Sequence, residues 1–212
     1  MTNVTIIGAT GSLGRVVTRA LLKKTDAHLT LFSRTALSLV ANLRVTRMSA
    51  STDNASALED AVRDADVVFV ALSGDLPFMA GQVVAAMNRV GARRIVFVSA
   101  YGIYGEVADE RDGRQSRDVR GSESSGIPDI LLPYLRAADI IESSGLDYTI
   151  LRPGWFKDSA DGEPGHYQLI PKGRLVHGHD VARESIADVV CRVVENPYEL
   201  SGENVAIIDV QE

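Results

Sequence analysis

The run Val4-Thr5-Ile6-Ile7 leads directly into Gly8-Ala9-Thr10-Gly11-Ser12-Leu13-Gly14: an apolar strand pattern, three glycines at intervals of three, then an amphipathic helix pattern. A site for a dinucleotide phosphate requires this order. Glycine tolerates backbone angles that a side chain forbids, and without a Cβ it lets a pyrophosphate reach the main-chain N–H groups. The helix that follows offers unpaired N–H groups and the positive end of its dipole to the anion. A glycine triplet by itself is also what a tight turn uses. The strand before it and the helix after it select the phosphate site.

Length and charge narrow the remaining choices. The 212 residues can bury a full core as one domain, and no internal repeat or interdomain linker interrupts them. A formal net charge of -6 argues against a nucleic-acid or anionic-membrane surface and leaves small molecules or other protein chains as expected partners. Monomer and homodimer both stay open. The apolar runs are far too short for a membrane span, and Met1-Thr2-Asn3-Val4 lacks the basic region and cleavage site of a signal peptide, so the expectation is a cytoplasmic protein. Cys191 is the only cysteine, which rules out an internal disulfide or a cysteine metal cluster. Among Val189, Val190, Val193 and Val194 it reads as a buried helix residue rather than a reactive thiol. His177-Gly178-His179 places two imidazoles two apart, but no further ligands can be located, and no metal site is expected.

Strand and helix patterns then alternate. Leu13, Val16, Val17, Ala20 and Leu21 share one helical face. Strands are predicted over 28–32 and, more weakly, 43–47, with a short helix over 55–63. Val67-Val68-Phe69-Val70-Ala71 and Arg94-Ile95-Val96-Phe97-Val98 are apolar runs of the kind that form central parallel strands covered on both faces. The spacing predicts a crossover helix over 78–90 between them, then a helix over 129–143, a strand over 148–151, a helix over 181–194 and a last strand over 204–208. Repeated strand-helix-strand units imply an α/β fold with a doubly wound parallel sheet. The stretch at about 105–128 breaks this rhythm with ten charged side chains among glycines and serines, and reads either as a functional lid or as a solvated loop.

At the end of the second strand the chain has Phe32-Ser33-Arg34-Thr35, with no acid. NAD-binding versions of such a fold use an acidic side chain about 20 residues past the glycines, whereas an arginine there suits a 2′-phosphate. Arg34 pairs with such a phosphate in this reading, Ser33 and Thr35 add hydrogen bonds, and Arg15 closes over the same group. NADP(H) is therefore favoured, with NAD(H) the alternative.

These residues resemble the atypical, single-domain members of the short-chain dehydrogenase/reductase superfamily that carry Gly-Ala-Thr-Gly-x-x-Gly, of the NmrA-like and biliverdin/flavin reductase-like kind. The similarity extends through Asp66 to Gly74, Ile95 to Ser99, the run Leu146-Asp147-Tyr148-Thr149-Ile150-Leu151-Arg152-Pro153-Gly154, and Asp180-Val181-Ala182. The resemblance implies a Rossmann fold over 1–212 with a small substrate-side region at about 152–180. It implies that Gly8, Thr10, Gly11, Ser12, Leu13, Gly14 and Arg15 hold the cofactor phosphates, and that Leu72, Ser73 and Gly74 line its ribose. Ser99 and Ala100 would lie beside the nicotinamide, and the loop of Pro153, Gly154, Trp155 and Phe156 would cover its carboxamide side. His166 and Tyr167, in a Gly/Pro-rich loop, would fall near the substrate pocket.

The chain departs from that pattern at the proton donor. Tyr134 lies in the appropriate helix, yet the fourth residue on is Ala138 rather than the lysine that lowers the tyrosine pKa. Without a cation, a tyrosine with a reference pKa of about 10 is a poor acid at neutral pH, and Arg136 is a partial substitute at best. Ser99, Tyr101, Tyr104 and Tyr134 are the catalytic candidates, with Ser99 and Tyr134 leading; each tyrosine is equally well explained as a packed ring with its hydroxyl at water. Trp155 and Phe156 either stack on an aromatic substrate or anchor their loop in the core. The function expected is an NADP(H)-dependent oxidoreductase that passes hydride to a small aromatic or carbonyl acceptor such as a flavin, quinone or tetrapyrrole. A non-catalytic NADP(H)-binding redox sensor is the alternative, and a nucleotide-sugar epimerase, for which the chain is short, comes third.

Overall fold

A computed structural model describes residues 1–39, 41–107 and 127–210. The charged stretch singled out at 105–128 falls mostly outside these residues. Ten strands and five α-helices are described: β1 Asn3–Ile7, α1 Ser12–Lys24, β2 His28–Ser33, β3 Val45–Ser49, α2 Ala55–Val62, β4 Val67–Val70, α3 Leu76–Val90, β5 Arg94–Val98, α4 Leu132–Glu142, β6 Asp147–Pro153, β7 Trp155–Lys157, β8 Tyr167–Pro171, β9 Asp180–Ala182, α5 Arg183–Glu195 and β10 Glu203–Asp209.

Eight of the strands form one sheet in the order β3-β2-β1-β4-β5-β6-β10-β8. All neighbours run parallel except β8, which pairs antiparallel with β10 at the edge. Because β1 is flanked by β2 on one side and β4 on the other, the chain reverses its winding direction there and leaves a crevice at the carboxyl ends of β1 and β4. This is the doubly wound Rossmann arrangement that the alternating pattern implies.

The apolar runs explain the layers. Successive side chains of a strand point to opposite faces, so Ile6 and Phe69 pack on one side of the sheet while Ile7, Val68 and Val70 pack on the other. The first face is covered by α1 and α5 through Val17, Leu21, Ile186 and Val190. The second is covered by α2, α3 and α4 through Leu58, Val83, Met87, Ala137 and Ile141. Each such fully buried aliphatic side chain stabilises the fold by about 1.5–3 kcal/mol relative to leaving it in water.

Local signals set the helix ends. Asn54 and Asp75 accept from the third residue on and start α2 and α3. Gly91, at φ +82, ends α3 in the left-handed conformation that glycine adopts without strain.

Two sequence expectations need correction. Tyr167 is not in a loop: it opens the edge strand β8, and its hydroxyl donates to Asp188 and accepts from Arg192, both on α5. The helix predicted from 181 begins at Arg183, because Asp180–Ala182 pairs with Trp155–Lys157 as a small separate sheet. Short pairings of this kind join segments distant in sequence and carry no local periodicity.

Candidate active site

Gly8 sits at φ +93, and a Cβ there would lie 2.0 Å from the carbonyl oxygen of Ala71 at the end of β4. A Cβ on Gly14 would lie 2.4 Å from the Gly8 carbonyl oxygen. These two glycines let the turn, the neighbouring strand and the first helical turn close on one another. Gly11 differs: it has an ordinary φ of -67, caps α1 and lines the crevice itself. Among the described residues no side chain caps α1, and no acid stands in its first turn. The free N–H groups and the dipole of that helix thus open onto a crevice lined by Gly11, Ser12, Leu13 and Gly14.

The crevice continues along the sheet edge past Ala71, Leu72 and Ser73, then Val98, Ser99 and Ala100, to Tyr134, Pro153, Gly154, Trp155 and Phe156, and holds about 950 Å³ with its open mouth. The structure therefore gathers most of the expected cofactor residues into one continuous groove. The others support it from behind or from the side. Arg15 folds back over the glycine turn, its Nε donating to the Thr10 carbonyl at 3.0 Å. Gly8 and Ala9 donate to the Phe32 carbonyl, which sets the end of β2 against the turn. Ser33 follows with a buried hydroxyl that has no hydrogen-bond partner among the described residues, and Arg34 beside it is exposed. Gly74, at φ +114, turns the chain into α3.

At the far end of the groove the catalytic candidates separate. Ser99 is 4% exposed and its hydroxyl donates to the backbone carbonyl of Tyr134 at 3.2 Å, so its proton is already committed to α4. Tyr134 lines the groove. Ala138, one turn on, is fully buried in the apolar cluster on this side of the sheet. Arg136 is exposed elsewhere on the helix. Tyr101 and Tyr104 do not line the groove. The Tyr101 hydroxyl meets His179 Nδ1 at 3.3 Å, and the Tyr104 hydroxyl accepts from Asn204 Nδ2 at 3.0 Å. Burial, followed by the nearby Glu142 carboxylate, raises the pKa of Tyr104, which makes it a weaker acid than an exposed tyrosine. Trp155 is 71% exposed and Phe156 40%, so neither ring anchors its loop in the core.

Sequence reasoning passed over a buried polar system behind the groove. Arg152 is fully buried and its Nη1 pairs with Glu106, while its Nε donates to Asn204 Oδ1 at 2.7 Å. Glu106 also accepts from the N–H groups of Gly102 at 3.2 Å and Tyr104 at 2.8 Å. An arginine at the end of an apolar strand run was the available signal. Gly154, two residues on, leaves no space for a side chain, since a Cβ there would lie 2.1 Å from the His179 carbonyl oxygen.

A cradle that excludes side chains, an uncapped helix terminus and an unpaired buried hydroxyl at the end of β2 together fit a bound dinucleotide. Residues 8–197 match a family model described as NAD(P)H-binding. The chain belongs to this NAD(P)H-binding family. Similar solved structures agree. A Rossmann-fold NAD(P)-binding family protein from Shigella flexneri is 31% identical, with 100% of this chain and 98% of that one covered and a TM-score of 0.79. A short-chain dehydrogenase/reductase from Veillonella parvula in complex with NADP is 27% identical, with 97% and 94% covered and a TM-score of 0.80. The anaerobillin reductase ChuY from Escherichia coli O157:H7, 21% identical with both chains covered at 100% and a TM-score of 0.76, shares the fold. The sequence matches no curated protein at a significant level. Among the described residues of this NAD(P)H-binding protein, no helix is long and apolar enough to cross a membrane.

Proposed function

We propose that the protein is an NADP(H)-dependent reductase of a small aromatic or carbonyl-containing acceptor. The observation that carries this reading is the single groove running from the open N-terminus of α1 to Ser99, Tyr134 and the exposed ring of Trp155. Reduced cofactor bound there supplies hydride, and the protein contributes orientation and a wall against water. Ser99 and Ala100, after β5, and Pro153 and Gly154, at the end of the neighbouring β6, line the acceptor end side by side. Ser33 and Arg34 are assigned to a 2′-phosphate, which favours NADP(H) over NAD(H): an otherwise unpaired buried hydroxyl gains a partner, and the guanidinium gains a bidentate anion. The Veillonella relative in complex with NADP supports the same preference.

Ser99's committed proton and Ala138 in place of a cation favour acceptors reduced by hydride without a strong tyrosine acid, such as flavins and quinones. The same two facts support a second reading, a non-catalytic redox sensor. Titrating NADPH and NADH by calorimetry, then following NADPH absorbance with a panel of flavins, quinones and aldehydes, separates the two. Turnover at ordinary enzyme rates establishes the reductase; tight NADPH binding with no turnover establishes the sensor. No heat with either coenzyme sinks both.

A further inference from the structure

Among the described residues, two buried side-chain polar atoms have no hydrogen-bond partner: Ser33 Oγ and Arg183 Nε. Natural proteins rarely leave such groups unmet, and each calls for an explanation. Ser33 stands at the coenzyme's adenosine end in the reading above. Arg183 stands beside the opposite end. It is the first residue of α5, and its guanidinium carbon lies 5.0 Å from the ring centroid of Phe156, which lines the groove next to Trp155.

The side chain of Arg183 is only 18% exposed, and among the described residues its one counter-ion is Asp158, held by Nη1 at 2.8 Å. Asp158 is 76% exposed. An ion pair with so solvated a partner is worth at most about 1 kcal/mol and exchanges readily. Nearby polar groups are better provided for. Lys157 is paired with Asp209 at 3.1 Å, and the same carboxylate accepts from the Ala182 N–H at 3.0 Å and the Ser185 hydroxyl at 3.1 Å at the start of α5. Glu184 accepts from the Ser159 N–H. Arg183 thus combines a fixed charge, a planar fork of donors with one unmet, and a weakly held anion, against an aromatic ring at the groove.

We infer that Arg183 selects acceptors that carry an anion: a planar ring lies against Trp155 and Phe156 while its carboxylate or phosphate takes the place of Asp158 on the guanidinium. The inference rests on the reductase reading for the location of the acceptor end. It adds that a carboxylate or phosphate on the acceptor is recognised, and that Asp158 occupies that position in the free protein.

Trp155 is the only tryptophan, so its fluorescence reports on this rim with or without turnover. Wild type, Arg183→Gln and Asp158→Asn would each be titrated with FMN and riboflavin, which share a ring and differ by a phosphate, and with carboxybenzaldehyde and benzaldehyde. Wild type should be half-quenched by an anionic member at about 10-fold lower concentration than by its neutral partner, the effect of one charge-assisted contact. Arg183→Gln should abolish that difference, and Asp158→Asn should enlarge it several-fold by removing the competing carboxylate. Equal quenching within both pairs, no quenching by any of the four, or a preference that survives Arg183→Gln overturns the inference. Should Arg183→Gln fail to fold, Asp158→Asn decides, and unchanged selectivity there overturns it as well. NADPH calorimetry on the same wild-type sample tests the reductase reading separately.

Discussion

Arg152 and Glu106 form a buried ion pair that ties the strand leading into Pro153 and Gly154 to the loop that follows Ser99 and Ala100. Two neighbouring segments that line the groove are thereby braced by one contact. Burial lowers the Arg152 pKa, and Glu106 opposes that effect. Breaking such a pair leaves an uncompensated charge in the interior, so Glu106→Ala should destabilise the protein by about 3–5 kcal/mol. Urea unfolding measures this; a loss under 1 kcal/mol would show that water reaches Arg152.

The three glycines of the first turn should behave unequally. Gly8→Ala and Gly14→Ala place a methyl within 2.0 Å and 2.4 Å of backbone oxygens and should each cost about 3 kcal/mol of stability. Gly11→Ala meets its nearest atom at 3.2 Å with an ordinary φ, and should cost about 1 kcal/mol or less while weakening NADPH by more than tenfold. Thermal unfolding and calorimetry on the three variants check this. Unchanged NADPH affinity in Gly11→Ala would remove that residue from the phosphate site.

At the end of β2, Ser33→Ala removes a buried hydroxyl that has no partner in the free protein. Stability without ligand should be unchanged or slightly higher, while NADPH binding weakens. Arg34→Ala should weaken NADPH far more than NADH. Equal losses for the two coenzymes would refute the 2′-phosphate assignment.

Placing a lysine four residues after Tyr134 should fail. Ala138 is fully buried in the apolar cluster, so Ala138→Lys forces a charge into the core and should lower the unfolding midpoint sharply. Tyr134→Phe should reduce turnover of a flavin less than tenfold, since the fourth residue on is Ala138 and not a cation. A larger loss in steady-state assays would make Tyr134 the acid after all.

Alkaline stability carries the mark of Cys191. Burial pushes its thiol up to about 11 from an ordinary 9.0, so the folded protein holds that proton more tightly than the unfolded chain does. The linked stability is complete below the unfolded value and falls as pH rises from about 9 toward 11. Urea midpoints across this range should decline less steeply in Cys191→Ala than in wild type, and parallel declines would contradict the assignment.

The sequence alone determined the layered α/β architecture and the phosphate-binding turn, because both are written locally. Apolar runs and helical spacing fix which faces are buried, and Gly8, Gly11 and Gly14 reveal where backbones must approach. What each glycine is for, and whether a polar residue is spoken for, was decided by tertiary contacts between segments far apart in the chain. Ser99 read as a catalytic candidate until the backbone of α4 was seen accepting its proton. Tyr167 looked like a loop residue until β8 paired with β10. The buried Arg152, Glu106 and Asn204 join residues up to 98 positions apart, and Arg183 reaches Phe156 only because β7 and β9 lie side by side. Periodicity records burial within one element, and only the folded chain records which donor meets which acceptor.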